Sequence, residues 1–337
     1  LKAHVWRAQV GRVTLLLLDS DVTGNDDPAR AVTEALYGGG GDRRLEPELL
    51  LGIGGVRALR AWSRLTGAAE PDGYHTNEGH AGFLGIGRSA ELVRDHRLTC
   101  DEAREAVRAS TVFTTHTPVP AGIDRFAADR IHIYFGGDCA MTGIPLDRLL
   151  AMGAETYEGG EAGMFNMAVM GLRLAQRANG VSLLHGQVSR DMFDGLWPGF
   201  DHEEVPIGSI TNGVHAPTWV DRRMLELAET HLGAAVLDGE GGWEQIRNVN
   251  WDQMWAVKRE LRQQLVADAR RRVRSSWLER GASAAELKWT DEILDPDVLT
   301  IGFARRVPTY KRLTLMLRDP ARLKKILLDK KRPVQLV

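Results

Sequence analysis

Thr111-Val112-Phe113-Thr114-Thr115-His116-Thr117-Pro118-Val119-Pro120-Ala121-Gly122 opens as a β-branched and aromatic run and closes in a segment stiffened by two prolines. The first half reads as a strand over 111–116, and the second half cannot extend it, because proline has no N–H to give to a ladder. Strand-like pieces recur at 73–77, 181–184 and 207–211, each followed by a loop or helix carrying unusual polar residues. That alternation is the signature of an α/β fold, in which ligands bind outside the carboxyl ends of the strands. His116 therefore leaves a strand where a substrate hydroxyl would be met, although taken alone it is better explained as a hydrogen-bonded structural histidine.

Upstream, residues 3–9 and 13–19 alternate or run apolar around Gly11-Arg12 and read as two strands; helices are expected at 30–37 and 46–64. Downstream, Trp251, Met254, Leu261, Leu265, Ala269, Val273 and Trp277 keep close to a helical period, which predicts a long packing helix over 250–280 with Arg270, Arg271 and Arg272 on its solvated side. A strand over 298–304, helices at 309–317 and 320–329 and a strand over 333–337 follow. Two strands and two helices cannot cover both faces of a parallel sheet, so further sequence is expected beyond residue 337. The first residue is Leu, with no basic start or cleavage site, so sequence is expected to be missing upstream as well.

The chain has 337 residues, enough for two ordinary domains, and its 43% hydrophobic and 26% charged content is that of a globular protein. Lys plus Arg (43) nearly cancels Asp plus Glu (45), so no general field draws the chain to nucleic acid or lipid, and any anion site must be local. The two cysteines, Cys100 and Cys139, form no C-x-x-C pair, which points away from a disulfide framework or thiolate zinc and towards a reducing compartment, the cytoplasm. The apolar runs are too short to span a bilayer.

Four cations crowd the strand-to-helix junction Gly302-Phe303-Ala304-Arg305-Arg306-Val307-Pro308-Thr309-Tyr310-Lys311-Arg312. Two readings stand: an anion site, with phosphate the natural guest of free N–H groups and flanking Arg and Lys, or a solvated basic helix face. In Tyr74-His75-Thr76-Asn77-Glu78-Gly79-His80 a strand passes into a helix, and the histidine spacing does not fit H-E-x-x-H, so zinc catalysis is not expected. Thr211-Asn212-Gly213 offers an amide to a sugar hydroxyl or is a plain Asn-Gly turn. Gly52-Ile53-Gly54-Gly55-Val56 lies inside a helical pattern without nucleotide-loop spacing and is read as allowing close helix packing. In the block 179–190 a helix meets a short strand, and His185 is either structural or substrate-facing.

The order of these motifs resembles one family. HTNEGHAGF (75–83), FTTHTPVPAGIDRF (113–126), FNMAV (165–169), NGVSLLHGQVSR (179–190), ITNGVHAPTWV (210–220) and GFARRVPTYKR (302–312) are similar to the short bacterial form of the glycogen and maltodextrin phosphorylases, retaining glycosyltransferases of the GT-B fold. The resemblance implies phosphorolysis of a terminal α-1,4-linked glucose to glucose 1-phosphate, with pyridoxal phosphate as cofactor, α-1,4-glucan and inorganic phosphate as partners, and dimers in the full-length enzyme. It implies that His116 and Asn212 contact the transferred glucose, that Arg306 and Lys311 meet the phosphates, that Tyr310 lies beside the sugar, and that Glu78 and His80 support the active site. The Glu78–His80 stretch departs from the Asn-Asp-Thr-His of the animal enzymes. Residues 1–212 are then part of the glucan-binding domain. Residues 213–337 begin the cofactor and phosphate domain, with a helical lead-in over 213–297 and a Rossmann-like sheet starting at 298. The cofactor lysine would fall beyond Val337, so this polypeptide alone is expected to be inactive. A nucleotide-sugar transferase resembling glycogen synthase, and a non-catalytic glucan-binding module, are the competing readings.

Overall fold

The computed structural model describes residues 1–35, 42–137, 142–237, 241–304 and 312–337, divided into two units, Leu1–Gly213 and Val214–Val337. The fold is mixed α/β with a parallel sheet at the centre of the first unit. The two expected strands, β1 (His4–Val10) and β2 (Val13–Asp19), pair as an antiparallel hairpin, with Gly11 at its turn in the left-handed region. The central sheet holds β3 (Tyr74–Asn77), β4 (Thr111–Thr114), β7 (Arg177–Gly180) and β8 (Ile207–Ser209), side by side in chain order and all parallel. A small antiparallel pair, β5 (Arg125–Ala127) with β6 (Met164–Asn166), flanks the long crossover between β4 and β7.

The period-2 pattern of the strands decides which side is core. Tyr74 and Thr76 on β3, and Thr111 and Phe113 on β4, are buried, while His75 and Val112 between them are exposed. The helix Met167–Arg173 buries six of its seven residues, Met167 to Leu172, and so joins two apolar clusters. One, around Phe83, Phe135 and Phe165, stacks rings at 5.8 and 6.1 Å; the other, around Phe113, Phe193 and Ile207, lies under the sheet.

The glycine run at 52–55 serves packing, as its helical setting suggested. A Cβ on Gly52 would stand 2.5 Å from Phe83 Cβ and 2.6 Å from the Leu84 backbone nitrogen, so the π-helical turn Leu50–Gly54 meets the helix Phe83–His96 at a distance only glycine allows. Gly52→Ala will lower stability by about 2 kcal/mol through overpacking against backbone that cannot withdraw. Chemical denaturation should show a lower midpoint at unchanged slope; a variant within about 0.5 kcal/mol of the parent would mean the crossing has room.

Two local expectations are corrected. The strand placed at 181–184 lies instead at Arg177–Gly180, because the Ser182 hydroxyl accepts the His185 N–H (3.1 Å) and starts the helix Leu183–Phe193. The helix expected at 30–37 is a turn of α-helix, Asp27–Arg30, running into the 3-10 turn Ala31–Thr33; residues 36 and 37 lie outside the described residues.

In the second unit the long helix is Trp251–Glu279. Val266 is its buried residue, and Trp251, Trp255 and Trp277 stay substantially exposed, so the helix packs less of itself than its pattern suggested. Arg270 is not solvated as expected: its guanidinium donates to the carbonyls of Ile293 and Leu294 at 2.8 and 2.7 Å. Strands β9 (Leu299–Ile301) and β10 (Val334–Leu336) pair in parallel, with the helix Pro320–Leu327 between them in sequence. Of the helix expected at 309–317, residues 309–311 lie outside the described residues and the rest is the 3-10 turn Leu313–Leu317.

Candidate functional site

The four parallel strands end at one edge of the sheet, and that edge collects four of the sequence motifs, 75–83, 113–126, 179–190 and 210–220. After Asn77 closes β3, Glu78 adopts a left-handed backbone (φ 57°), and its N–H donates to Thr114 O at 2.8 Å. The turn swings its carboxylate over the residues that follow β4. Glu78 Oε2 accepts from the His116 backbone N–H at 2.7 Å and from the Thr117 hydroxyl at 3.0 Å, and Oε1 accepts from the Thr115 hydroxyl at 3.3 Å. An ionised acceptor makes such bonds shorter and stronger than neutral ones. The His116 ring remains exposed, with Nε2 3.2 Å from Asn77 Oδ1.

β7 continues the arrangement. The Thr115 N–H donates to Asn179 O (3.0 Å), and the Thr114 hydroxyl donates to Asn179 Oδ1 (3.1 Å). Having spent its proton there, Thr114 Oγ1 accepts from His75 Nε2 at 2.7 Å, which fixes that imidazole as the Nε2–H tautomer. Beyond β8, the Ile210 N–H reaches Gly180 O at 3.0 Å, the Asn212 N–H reaches Val181 O at 3.2 Å, and Asn212 is exposed. His116 and Asn212 thus follow strands of one sheet, and both are exposed.

His80 stands apart from this edge. Its Nδ1 lies 3.1 Å from Glu48 Oε1 and 3.4 Å from Asp124 Oδ2, and Arg44 pairs with Asp124 at 2.7 Å. The donor atoms of Glu48, His80 and Asp124 all fall within 4.8 Å of one another, the spacing of a cation site, but here Arg44 and His80 supply the positive charge the two carboxylates require. Sequence reasoning gave Arg44, Glu48 and Asp124 no role: they come together from positions up to 80 residues apart, so no spacing marks them. Arg306, Tyr310 and Lys311, the expected phosphate and sugar residues at 302–312, lie outside the described residues, as does Cys139.

The cluster makes a pH prediction. The hydrogen bond that the His80 ring donates to Glu48 raises the His80 pKa, and burial raises that of Glu48. A raised histidine stabilises the fold fully below its unfolded value of about 6.5, and that contribution is lost as pH climbs through the folded value; the raised glutamate acts in the same direction lower on the scale. The Tm difference between the parent and His80→Gln should be greatest below about pH 6 and shrink as pH rises. A difference that ignores pH would contradict this.

Pyridoxal phosphate, implied by the resemblance, requires a sheltered lysine amine. Lys2, Lys258, Lys288, Lys324, Lys325, Lys330 and Lys331, the lysines among the described residues, are all exposed, so the described residues do not fit the covalent anchor.

No family model matches the chain. It is 56% identical over 343 residues to a glycogen phosphorylase of Mycobacterium tuberculosis, a match covering 100% of this chain and 39% of that protein. It is 36% identical to a maltodextrin phosphorylase of Thermococcus litoralis (99% of this chain, 38% of that protein) and 35% identical to a glycogen phosphorylase of Aquifex aeolicus (99% and 47%). The chain therefore spans less than half the length of these curated relatives. No helix among the described residues is long and apolar enough to cross a membrane.

Proposed function

We infer that this chain, matched over its whole length by part of the glycogen and maltodextrin phosphorylases, supplies the glucose-binding edge of an α-glucan phosphorylase of GT-B architecture. The observation that carries the reading is the convergence of the Glu78, His116 and Asn212 loops on one edge of a parallel sheet, in a chain with that likeness. In this reading residues 1–212 belong to the glucan-binding domain and residues 213–337 open the phosphate domain. The protein works in the cytoplasm, as a dimer, on α-1,4-glucan and inorganic phosphate.

The imidazole of His116 and the amide of Asn212 hold hydroxyls of the non-reducing terminal glucose, and Glu78 fixes the loop from which His116 projects. Holding the ring from both sides orients C1 before reaction and strengthens as the sugar gains oxocarbenium character. Arg306 and Lys311 hold phosphate, with Tyr310 beside the sugar. The C1–O4 bond breaks, a phosphate oxygen bonds to C1 on the same face, and a proton carried by inorganic phosphate passes to the departing O4. A phosphate held against the reacting bond needs preorganised cations, the task given to Arg306 and Lys311.

The test is phosphate dependence. The protein carrying this chain, given maltoheptaose and inorganic phosphate, should release α-glucose 1-phosphate. Elongation from ADP-glucose without phosphorolysis would replace this reading by the nucleotide-sugar one, and maltoheptaose binding with neither activity would leave a glucan-binding module.

A further inference from the structure

His185 has no part in the proposed reaction, yet it is buried beside the site, 8% exposed. Its Nδ1 accepts the backbone N–H of Val181 at 3.2 Å. The carbonyl of the same residue, Val181, accepts the backbone N–H of Asn212 at 3.2 Å. The imidazole is thus two hydrogen bonds from the residue assigned to the terminal glucose, through a single intervening peptide segment.

The surroundings hold the ring in that role. Ser182 Oγ accepts the His185 N–H at 3.1 Å and fixes the first turn of the helix Leu183–Phe193. A Cβ on Gly180 would fall 2.7 Å from His185 Nδ1, and one on Gly186 would fall 2.9 Å from Ser209 Cβ, so both glycines let this helix start close against the ends of β7 and β8. Because Nδ1 accepts, the ring proton is on Nε2, which is buried without a hydrogen-bond partner. A buried donor left unpaired is unfavourable, and an apolar side chain of this size would avoid it. What the histidine provides, and an apolar residue would not, is the acceptor at Nδ1.

We propose that His185 is a positioning residue for Asn212: its Nδ1 holds the backbone of Val181 by its N–H, and the carbonyl of the same residue sets the place from which Asn212 meets the sugar. The proposal rests on the reading of Asn212 as a glucose contact. Asparagine places its side-chain oxygen near the Nδ1 position and glutamine near that of Nε2, so the two variants separate the roles of the nitrogens.

The experiment measures amide hydrogen exchange at Val181 and Asn212 by NMR, together with maltopentaose affinity, in the 337-residue chain and its His185→Asn and His185→Gln variants. His185→Asn should keep both exchange rates and the affinity within about threefold of the parent, and His185→Gln should speed both exchanges and weaken binding by about tenfold, the loss of one hydrogen bond. Equal behaviour of the two variants, or ring 15N shifts that place the proton on Nδ1 in the parent, would overturn the proposal. If the parent itself does not bind maltopentaose, the assignment of Asn212 to glucose fails and the proposal falls with it, while unequal exchange would still show that His185 holds the loop.

Discussion

Glu78→Ala will cost the first unit about 3 kcal/mol and abolish detectable maltopentaose binding. Three donors, the Thr115 and Thr117 hydroxyls and the His116 N–H, converge on the Glu78 carboxylate. Thr115 is fully buried, so its hydroxyl has no water to turn to. The glutamate also carries a backbone penalty, since a φ of 57° with ψ of 179° is a region non-glycine residues avoid. Alanine keeps that penalty and loses the three carboxylate bonds that offset it. Glycine loses the same bonds but relaxes the backbone, so Glu78→Gly should be more stable than Glu78→Ala by about 1 kcal/mol. Both variants should lose the sugar, because the segment bearing His116 loses the carboxylate that holds residues 115–117. Denaturation of the three proteins side by side decides the matter. An alanine variant within about 0.5 kcal/mol of the parent, or a glycine variant less stable than the alanine one, would show that the carboxylate does not organise the loop.

His116→Ala and Asn212→Ala will each lower kcat/KM for phosphorolysis by about a hundredfold while leaving stability within about 0.5 kcal/mol of the parent. Both side chains are exposed, so their removal opens no cavity; in the proposed reaction the loss would be of contacts that strengthen in the transition state. If both hold one glucose ring, the double variant should fall short of the product of the single losses, since removing the first contact already frees the ring. Initial rates of glucose 1-phosphate formation by the protein carrying this chain supply the numbers. Losses confined to KM, with kcat unchanged, would mean that these residues bind the sugar equally in the ground and transition states.

What the sequence disclosed and what it withheld divide along physical lines. The strand Thr111–Thr114 was legible because its β-branched and aromatic run stands out, although it stops two residues short of the expected end at 116, and the long helix Trp251–Glu279 because twenty-nine residues give its period time to show. The strand Arg177–Gly180 was misplaced by a few residues because Arg-Ala-Asn-Gly lacks the apolar run that marks a buried strand, whereas the apolar pair Leu183-Leu184 just after it is exposed on a helix. The packing role of Gly52 could be read from its helical setting; its partner, Phe83, could not. At the site, His116, Asn212 and Glu78 stood in recognisable motifs. The convergence of three donors on Glu78 and the cluster of Arg44, Glu48, His80 and Asp124 did not, because they depend on contacts across tens of residues that no local pattern encodes.

The central claim is that the edge formed after β3, β4, β7 and β8 holds the non-reducing terminal glucose of an α-1,4-glucan. Saturation-transfer difference NMR of the chain with maltopentaose tests it directly. Saturation should be strongest on the terminal non-reducing ring and disappear in His116→Ala and Asn212→Ala. Saturation spread evenly along the oligosaccharide, persisting in both variants, or seen only with ADP-glucose would contradict it.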